Sequence, residues 1–333
     1  MTRRQERVRV VFDTDAGNEI DDQFALAWAL RRSDALQVEG VHAAPYSHGR
    51  YLCALAEASE ERGGATSRFD EIALSMGAGR REALLADTPP HEGMERSHEE
   101  IMRVFEASEV DPDHRVLRGA RDFLPAAETP VESEAALHLI ELARSARPDA
   151  PIHVAAIGAP TNVASALLMD PAIAPNLRVL FVAGYPSGAG LDDDSFNLVQ
   201  DRFASNVLFE SGAPLVYLPG YQVAEPLSLS LPEAQAWLTG RGRLAEFLYE
   251  RFRNNPISPD AERPGQSWVL WDVLATAYLI EPDWVSTRPV PRARLGVGHA
   301  WEPLPDDRGT MAEGYRAHRN EILGDLFERM GTG

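Results

Sequence analysis

The segment Val10–Leu30 reads VVFDTDAGNEIDDQFALAWAL and carries the clearest indication of the fold. Five of ten consecutive positions in it are acidic: Asp13, Asp15, Glu19, Asp21 and Asp22. Apolar runs flank this acidic segment, which indicates a buried strand that passes into a buried helix. Because side chains two apart on a strand point the same way, Asp13 and Asp15 are expected to share a side. Gly17 permits a sharp turn, so the acids should gather where the strand ends and the helix begins.

Short β-rich runs alternate with helix-like runs along most of the chain, which is typical of a parallel sheet covered on both faces. The predicted strands are Val8–Phe12, Leu36–Ala43, Ile152–Ile157, Leu177–Val182 and Leu215–Leu218. The predicted helices between them are Phe24–Arg31, Ala135–Ala146, Val163–Met169 and Phe203–Ser211. We therefore predict an α/β fold, an open, mostly parallel, doubly wound sheet. Residues 1–333 are expected to form a single domain, with helical and loop insertions over the site.

Three segments outside this alternation are interpreted separately. Residues 59–130 contain Gly and Pro breaks and scattered acids, and are predicted to be loops plus one helix, Ser97–Ala107. A second irregular zone, residues 254–266, precedes a run SWVLWDVLATAYLI that is predicted to be a helix throughout. Long loops in α/β sheets tend to lie over the ligand crevice, so both zones are expected near the site.

The composition of the chain limits its partners and its location. There are 32 basic residues, none of them lysine, against 51 acidic ones, for a formal net charge of −19. This argues against nucleic acid or an anionic membrane as a partner. No apolar run approaches the ~18 residues of a membrane span. Cys53 is the only cysteine, which excludes an intrachain disulfide, and we expect a cytoplasmic protein.

The gathered carboxylates favour a bound cation. Two unit charges ~4 Å apart repel by about 4 kcal/mol at an effective dielectric constant near 20. An all-oxygen site without nearby His or Cys is typical of Ca²⁺ or Mg²⁺. The alternative is helix capping plus a solvated acidic turn, which explains one or two of the acids. A strand followed by DxD also opens haloacid-dehalogenase phosphotransferases, but Ala16-Gly17-Asn18 and the lack of lysine disfavour that class.

The segment DTDAGNEIDD resembles the DxDxGxDD signature of the Ca²⁺-dependent, inosine-uridine preferring nucleoside hydrolases. It has two additional residues between Gly17 and the Asp pair, as in a branch with a longer motif, which EGMERSHEEI also resembles. Three further segments look like parts of the same family in the same order: IGAPTNVASALLMDP (Ile157–Pro171), SFNLVQD (Ser195–Asp201) and WDVLATAYLIEPDWV (Trp271–Val285).

The resemblance implies Ca²⁺-dependent hydrolysis of the N-glycosidic bond of a ribonucleoside or related N-riboside. It implies that the metal ligands are Asp15, Asp22, Asp272 and the backbone carbonyl of Ile157. Asp15 would also be the general base toward water, Asp21 and Asn197 would hold the ribose hydroxyls, and Asp13 would orient Asp15 or the water. Independently of the resemblance, Thr161 and Asn162 are expected to cap the helix that follows them, a positional role and not a catalytic one. A homodimer or homotetramer is expected, as in other members.

The sequence departs from the family at the end of the site that meets the base. Trp271 stands where a His usually precedes the Asp, so it would stack on a base or simply pack in a helix. Ser195 replaces a Glu that meets the sugar 5′-hydroxyl. Asp192, Asp193 and Asp194 are interpreted as a solvated loop in preference to a substrate contact, while His48 and His91 are candidates to assist a leaving group. The alternative function is therefore a non-catalytic, metal-dependent ribosyl-binding protein.

Overall fold

The strand β1 (Val8–Thr14) sends alternate side chains into two separate hydrophobic cores. Val10 and Phe12 belong to one core, and Val11 belongs to the other. This is the arrangement of a sheet with helices on both faces, and it explains why the strand is apolar without interruption. The computed structural model describes residues 7–255, 265, 267–305 and 308–331.

The remaining strands are β2 (Leu36–Ala43), β3 (Val116–Arg118), β4 (Ile152–Ala156), β5 (Leu177–Ala183), β6 (Leu215–Pro219), β7 (Ser228–Ser230), β8 (Ser267–Val269), β9 (Val285–Pro291), β10 (Ala293–Leu295), β11 (Trp301–Pro303) and β12 (Thr310–Ala317). The α-helices are α1 (Asp21–Arg31), α2 (His48–Arg62), α3 (Arg68–Ser75), α4 (Ala78–Asp87), α5 (Pro90–Ala107), α6 (Glu134–Ser145), α7 (Thr161–Met169), α8 (Phe196–Val199), α9 (Arg202–Glu210), α10 (Leu231–Leu238), α11 (Arg243–Arg253), α12 (Val273–Ile280) and α13 (Arg319–Met330). Within the described ranges, no helix has the length and apolar character needed to cross a membrane.

The main sheet has eight strands in the order β3-β2-β1-β4-β5-β6-β12-β9. All neighbouring strands are parallel except β12 and β9 at one edge. The chain moves outward from β1 to β2 and then returns to the other side of β1 at β4. The carboxyl ends of β1 and β4 therefore form a topological switch point, where open α/β sheets bind ligands.

The predicted fold class and the five predicted strands are confirmed, with ends that differ by at most two residues. β2 has the predicted bounds, and β1 continues two residues further, to Thr14. The four predicted helices are also present, and α1 begins earlier, at Asp21. The apolar pattern marks where an element is buried, whereas its first turn can be polar, as it is in α1.

The prediction for residues 59–130 was wrong over much of its length. The segment holds the end of α2, all of α3 and α4, and an α5 that begins seven residues before the predicted helix. The Gly and Pro residues that suggested loops stand at the ends of these helices. Gly63 closes α2 with φ of +82°, Gly77 precedes α4, and Pro90 is the first residue of α5. Such positions suit glycine and proline.

The helix predicted over SWVLWDVLATAYLI is also shorter than expected. Ser267–Val269 is instead a strand, β8, that pairs antiparallel with β7. The helix α12 begins only at Val273, so Asp272 lies just before its first turn. The bonds that Ser267–Val269 exchanges with β7 hold this segment extended. In the irregular zone predicted over 254–266, residues 256–264 and 266 lie outside the described residues.

Candidate active site

A cavity opens at the carboxyl ends of the central strands, beside the switch point. It is lined by the loop after β1, by Ile157 after β4, and by residues at the ends of β5 and β6. The segment before α12 closes one wall of the cavity with Trp271 and Asp272. Residues from position 15 to position 272 therefore meet at one place in the fold.

The cavity brings together nearly all the residues that were predicted from the sequence to form the site. The lining contains every predicted metal ligand and every predicted substrate contact: Asp15, Asp21, Asp22, Ile157, Asn197, Trp271 and Asp272. Asp13 is buried behind the cavity and does not line it. The chemical roles assigned to these residues stay predictions, but the predicted set is close together in space.

The tightest group of carboxylates differs from the predicted metal ligands. Asp21, Asp22 and Asp272 each present an oxygen within 4.8 Å of the others, and all three are buried. Asp15 lines the same cavity but is not part of this trio. A cation held by the trio would therefore also meet Asp21, which was expected to hold ribose hydroxyls.

Local structure explains why these acids point inward. Asp21 and Asp22 form the first turn of α1, where the positive end of the helix dipole favours carboxylates. The Thr14 hydroxyl donates to Asp22 Oδ1, which ties α1 to the end of β1. The backbone N–H of Asp272 donates to Asp21 Oδ2 over 3.2 Å, which ties α1 to the start of α12.

Burial and mutual repulsion dominate the electrostatics of the cavity. Burial raises the pKa of Asp15, and Asp22, Asp21 and Glu19 raise it further. The pKa values of Asp22 and Asp272 are raised in the same way, by burial first and by Asp21 next. Burial raises the pKa of Asp21 to about 6, against hydrogen bonds that lower it. The cluster therefore favours positive charge, as protons or as a cation.

The donor atoms fit a hard divalent cation. The trio and Asp15 supply only oxygen, which Ca²⁺ and Mg²⁺ prefer. Asp15 is 2% exposed, and its Oδ2 has no hydrogen-bond partner among the described residues. A buried carboxylate oxygen without a partner costs free energy that a cation, a water or a ligand would offset.

The Ile157 carbonyl is held in place by Asn197 and Gly158. The amide nitrogen of Asn197 donates to Ile157 O over 2.9 Å and to Val182 O over 3.2 Å. A Cβ atom on Gly158 would lie 2.9 Å from the backbone nitrogen of Asp15, so only glycine lets these two segments approach so closely.

The residues Thr161 and Asn162 hold neighbouring loops and do not cap α7. Pro160 precedes this helix, and no side chain caps it, so the predicted capping role was wrong. Asn162 donates to Asp13 Oδ1 over 2.8 Å and accepts from the backbone of Ala120 over 2.7 Å. Burial raises the pKa of Asp13 to about 7, and the Asn162 bond opposes that rise.

Several lining residues were not assigned a role from sequence, among them the polar residues Asn18, Glu19 and Tyr221. Asn18 is 6% exposed, and neither its Oδ1 nor Glu19 Oε2 has a hydrogen-bond partner within the described structure. Asn18 and Glu19 belong to the longer loop between Gly17 and the Asp pair, and that insertion was the available signal. Tyr221 follows β6 closely, a strand end that the sequence analysis had not connected to the site.

The Asp run before Ser195 is not a solvated loop. Asp193 is 1% exposed and accepts from the backbone N–H groups of Tyr185 and Ser195. Asp192 pairs with Arg62 over 3.4 Å, and the Asp194 carbonyl accepts from the Tyr51 hydroxyl. The run therefore shapes the loop that carries Ser195 and Phe196 into the cavity.

Neither histidine nominated for leaving-group assistance lines the cavity. His48 begins α2 and lies behind Phe196, with ring centroids 5.4 Å apart. His91 lies in the first turn of α5. Trp271 does line the cavity, and its ring meets that of Tyr221 at 90° with centroids 5.7 Å apart.

An open parallel sheet with a carboxylate-lined cavity at its switch point defines an α/β protein built to bind a small ligand. Comparison with known proteins identifies the class more closely. The family model for inosine-uridine preferring nucleoside hydrolase matches residues 10–311, and the chain belongs to this family.

Curated relatives match part of the chain. The pyrimidine-specific ribonucleoside hydrolase RihB of Escherichia coli (strain K12 / DH10B) is 29% identical over 143 residues, which are 42% of this chain and 45% of that protein. The putative RihB of Shigella boydii serotype 4 is equally identical over 42% of this chain and 58% of its own length. The matches thus span about half the length of these relatives.

Solved structures match the whole fold. A plant nucleoside hydrolase, the PpNRh1 enzyme, has a TM-score of 0.67 at 15% identity and covers 98% of this chain and 99% of its own. The purine-preferring ribonucleoside hydrolase from Gardnerella vaginalis has a TM-score of 0.62 at 18% identity, and the match covers 97% of this chain and 98% of that one. At these identities the likeness shows the shared fold.

Proposed function

We propose that this protein hydrolyses the N-glycosidic bond of a ribonucleoside or related N-riboside with the help of Ca²⁺. The observation that carries the proposal is the meeting of Asp15 with the trio Asp21, Asp22 and Asp272 in one buried cavity. Family membership supports the reaction class, and the relatives named above are ribonucleoside hydrolases.

The residues that would hold the cation are Asp15, Asp22, Asp272 and the Ile157 carbonyl, with Asp21 beside them. When bound, Ca²⁺ would supply positive charge that offsets the carboxylates and makes a nearby water more acidic. Asp15 Oδ2, which is buried and unpartnered within the described structure, would accept a proton from the attacking water.

The cavity also suits the charge that develops on the sugar. Cleavage of a glycosidic bond builds oxocarbenium character on the ribose, and nearby carboxylates stabilise it. Asp21 and the amide oxygen of Asn197 would hold the ribose hydroxyls and align the ring. Trp271 and Tyr221 would provide apolar faces for the group that leaves.

The test is ribose release from a panel of purine and pyrimidine ribonucleosides, with Ca²⁺ and with a chelator. We expect chelator-sensitive release that falls by about 10²–10⁴ in Asp15→Asn, since general base catalysis contributes about that much. Binding of substrate by the variant should change little. Tight Ca²⁺ binding and riboside binding without any release would contradict hydrolysis and favour the ribosyl-binding alternative.

The cytoplasmic location, the single domain over residues 1–333 and the homodimer or homotetramer stay proposals. Cell fractionation would test the location, limited proteolysis the domain, and light scattering with chromatography the assembly.

A further inference from the structure

One buried carboxylate outside the acidic cluster joins two walls of the cavity. Asp193 lies in the loop between β5 and α8 and is 1% exposed. Its Oδ2 accepts from the backbone N–H of Tyr185 over 2.7 Å, and its Oδ1 accepts from that of Ser195 over 3.0 Å. Tyr185 follows the end of β5, and Ser195 begins the segment Ser195–Asn197 that lines the cavity. The carboxylate therefore connects the first residues of the loop to its last.

The chain leaves room for this carboxylate at Gly184, the lining residue that directly follows β5. Gly184 has φ of +49°, a conformation that favours glycine. A Cβ atom there would collide with Asp193 Oδ2 and with Leu198 Cδ1. The Gly184 carbonyl also accepts from the backbone N–H of Tyr221 over 3.0 Å. Three segments of the cavity lining thus meet at Gly184 and Asp193.

Every donor to the Asp193 carboxylate in the described structure is an N–H group. Besides Tyr185 and Ser195, the donor is the indole of Trp301 in β11, whose Nε1 lies 3.3 Å from Oδ2. A protonated carboxyl oxygen is a poorer acceptor than an ionised one, and the amide nitrogen of Asn does not accept at all. The ionised carboxylate is therefore the form that satisfies all three donors, and a buried donor without an acceptor costs free energy.

The bond to Ser195 also fixes the position of Asn197. The Ser195 carbonyl accepts from the backbone N–H of Leu198 over 3.1 Å and so begins the helical turn that carries Asn197. The Asn197 amide nitrogen lies 2.9 Å from Ile157 O and 3.2 Å from Val182 O. A displacement of Ser195 would therefore move Asn197 relative to the rest of the cavity wall.

We propose that Asp193 is a positioning residue of the active site, which in its ionised form holds the segment Ser195–Asn197 against the end of β5 and on protonation releases it. The inference rests on the proposed function, because that function assigns Asn197 to the ribose hydroxyls. Burial raises the pKa of Asp193 to about 7, against the hydrogen bonds from Tyr185 and Ser195 that lower it. The segment should therefore be held above about pH 7 and released below it.

The other titratable groups near Asp193 can be separated from it. They are Asp192, Asp194, His299, Glu313, Tyr51, Tyr185, Tyr217 and Tyr221. Burial raises the pKa of all four tyrosines above 10 and lowers the pKa of His299 to about 4, so these five groups do not titrate near pH 7. Burial also raises the pKa of Asp194, so a variant of Asp194 is needed as a control.

The first experiment follows the indole N–H signal of Trp301 by ¹H–¹⁵N NMR from about pH 5 to about pH 9, with Ca²⁺ and with a chelator. Trp301→Phe identifies the signal. We expect the signal to shift with a midpoint near pH 7 whether or not Ca²⁺ is present, because Asp193 lies outside the carboxylate cluster. The shift should be absent in Asp193→Asn and kept in Asp194→Asn and Glu313→Gln.

The second experiment measures KM and kcat for ribose release from uridine and inosine at about pH 8 and saturating Ca²⁺. Asp193→Asn should lower kcat/KM by about ten- to a hundredfold, since a small misplacement of a positioning group has an effect of that size. Most of the loss should lie in KM, because the displaced segment binds the sugar and transfers no proton.

Asp201→Asn is the matched control for that substitution. Asp201 is 3% exposed and accepts from the backbone N–H groups of Leu124 and Ala204, but none of these three residues is in the described lining of the cavity. Its melting temperature should fall as that of Asp193→Asn does, while its KM stays within about twofold of the wild type.

A wild-type Trp301 signal that does not titrate would overturn the inference even if Asp193→Asn failed to fold, and so would a titration that persists in Asp193→Asn. A lower kcat at unchanged KM in Asp193→Asn would show only a smaller folded fraction and would refute the positioning role. An equal rise of KM in Asp201→Asn would refute it too. If no ribonucleoside released ribose, the proposed hydrolysis would fail, and the Trp301 titration would still decide whether Asp193 holds the loop.

Discussion

At the scale of single residues, the site depends on a glycine that lies against a carboxylate loop. A Cβ on Gly158 would lie 2.9 Å from the Asp15 nitrogen and 3.1 Å from the Ala44 Cβ. We predict that Gly158→Ala lowers the free energy of unfolding by about 1–3 kcal/mol, because both neighbours belong to packed strand ends.

Gly324→Ala is the matched control for that substitution. Gly324 lies in α13, and a Cβ there would meet nothing within 4 Å. Gly324→Ala should raise the free energy of unfolding by up to about 1 kcal/mol, because alanine favours the helical conformation more than glycine does. Urea unfolding measures the free energy of unfolding of both variants. An equal change in the two would mean that the close approach at Gly158 does not limit stability.

The carboxylate cluster should also couple cation binding to pH. Burial raises the pKa of Asp21 to about 6 and moves the pKa values of Asp15, Asp22 and Asp272 upward. Protons therefore compete with Ca²⁺, so its affinity should rise as pH increases from about 5.5 to about 7.5, with release of protons. Calorimetry in buffers of different ionisation enthalpy measures the release, and an affinity that ignores pH would contradict the prediction.

At the scale of elements, two helices outside the sheet hold the loop that carries Glu19. Glu100 on α5 is 4% exposed, accepts from Gln23 Nε2 over 3.2 Å and pairs with Arg251 of α11. Burial raises the pKa of Glu100, but hydrogen bonds from Arg251 and Arg103 outweigh it and lower the pKa. The Gln23 amide also donates to the Glu19 carbonyl over 3.4 Å.

We predict that Arg251→Met costs about 1.5–3 kcal/mol of unfolding free energy, the range for a hydrogen bond to a charged group. The control is Arg243→Met, because Arg243 pairs with Glu106 between the same two helices, but both side chains are more than half exposed. An exposed pair contributes at most about 1 kcal/mol. Thermal and denaturant unfolding measure the stability of both variants. A larger loss of unfolding free energy in Arg243→Met than in Arg251→Met would contradict the role given to the buried Arg251–Glu100 pair.

The strands and helices that were predicted correctly are those whose burial leaves a pattern in the sequence. Strands with continuous apolar runs were found to within two residues, because burial on both faces leaves a pattern in the chain. The helices α3 and α4 were missed because their exposed residues lack such a pattern. The strand β8 was mistaken for helix, since its extended form depends on pairing with Ser228–Ser230, nearly forty residues earlier.

At the scale of the whole molecule, the buried carboxylate cluster, our proposed cation site, connects segments that are far apart in sequence. Asp21 and Asp22 begin α1, whereas Asp272 precedes α12, and the two helices pack together. Since these oxygens meet only in the folded chain, Ca²⁺ should stabilise folding by about 2.7 kcal/mol at 100 times its Kd. Calorimetric scans with Ca²⁺ and with chelator measure the resulting shift in unfolding temperature, and Asp22→Asn should reduce that shift.

The sign of the pH effect on that shift follows from the raised pKa values. Without a cation, the folded protein binds more protons than the unfolded chain, so its stability falls as pH rises through about 4 to 6, the window for Asp21. Ca²⁺ removes this loss, and its stabilising effect should be larger at pH 7.5 than at pH 5.5. The opposite order would contradict the assignment of the site.

The residues of the chain were enough to predict the mostly parallel α/β sheet, the acidic end of β1 and the seven proposed metal and substrate residues that meet in the cavity, but not Asn18, Glu19 or Tyr221, which also line it. Local periodicity encodes burial, and ordered motifs carried the family resemblance, so these features needed no coordinates. Tertiary structure alone decided that Asp21 joins Asp22 and Asp272 in the tightest group. The folded structure also places Glu19 in the cavity lining. Asp21 and Asp272 come together because α1 packs against α12, about 250 residues away, and spacing along a chain does not encode such a contact.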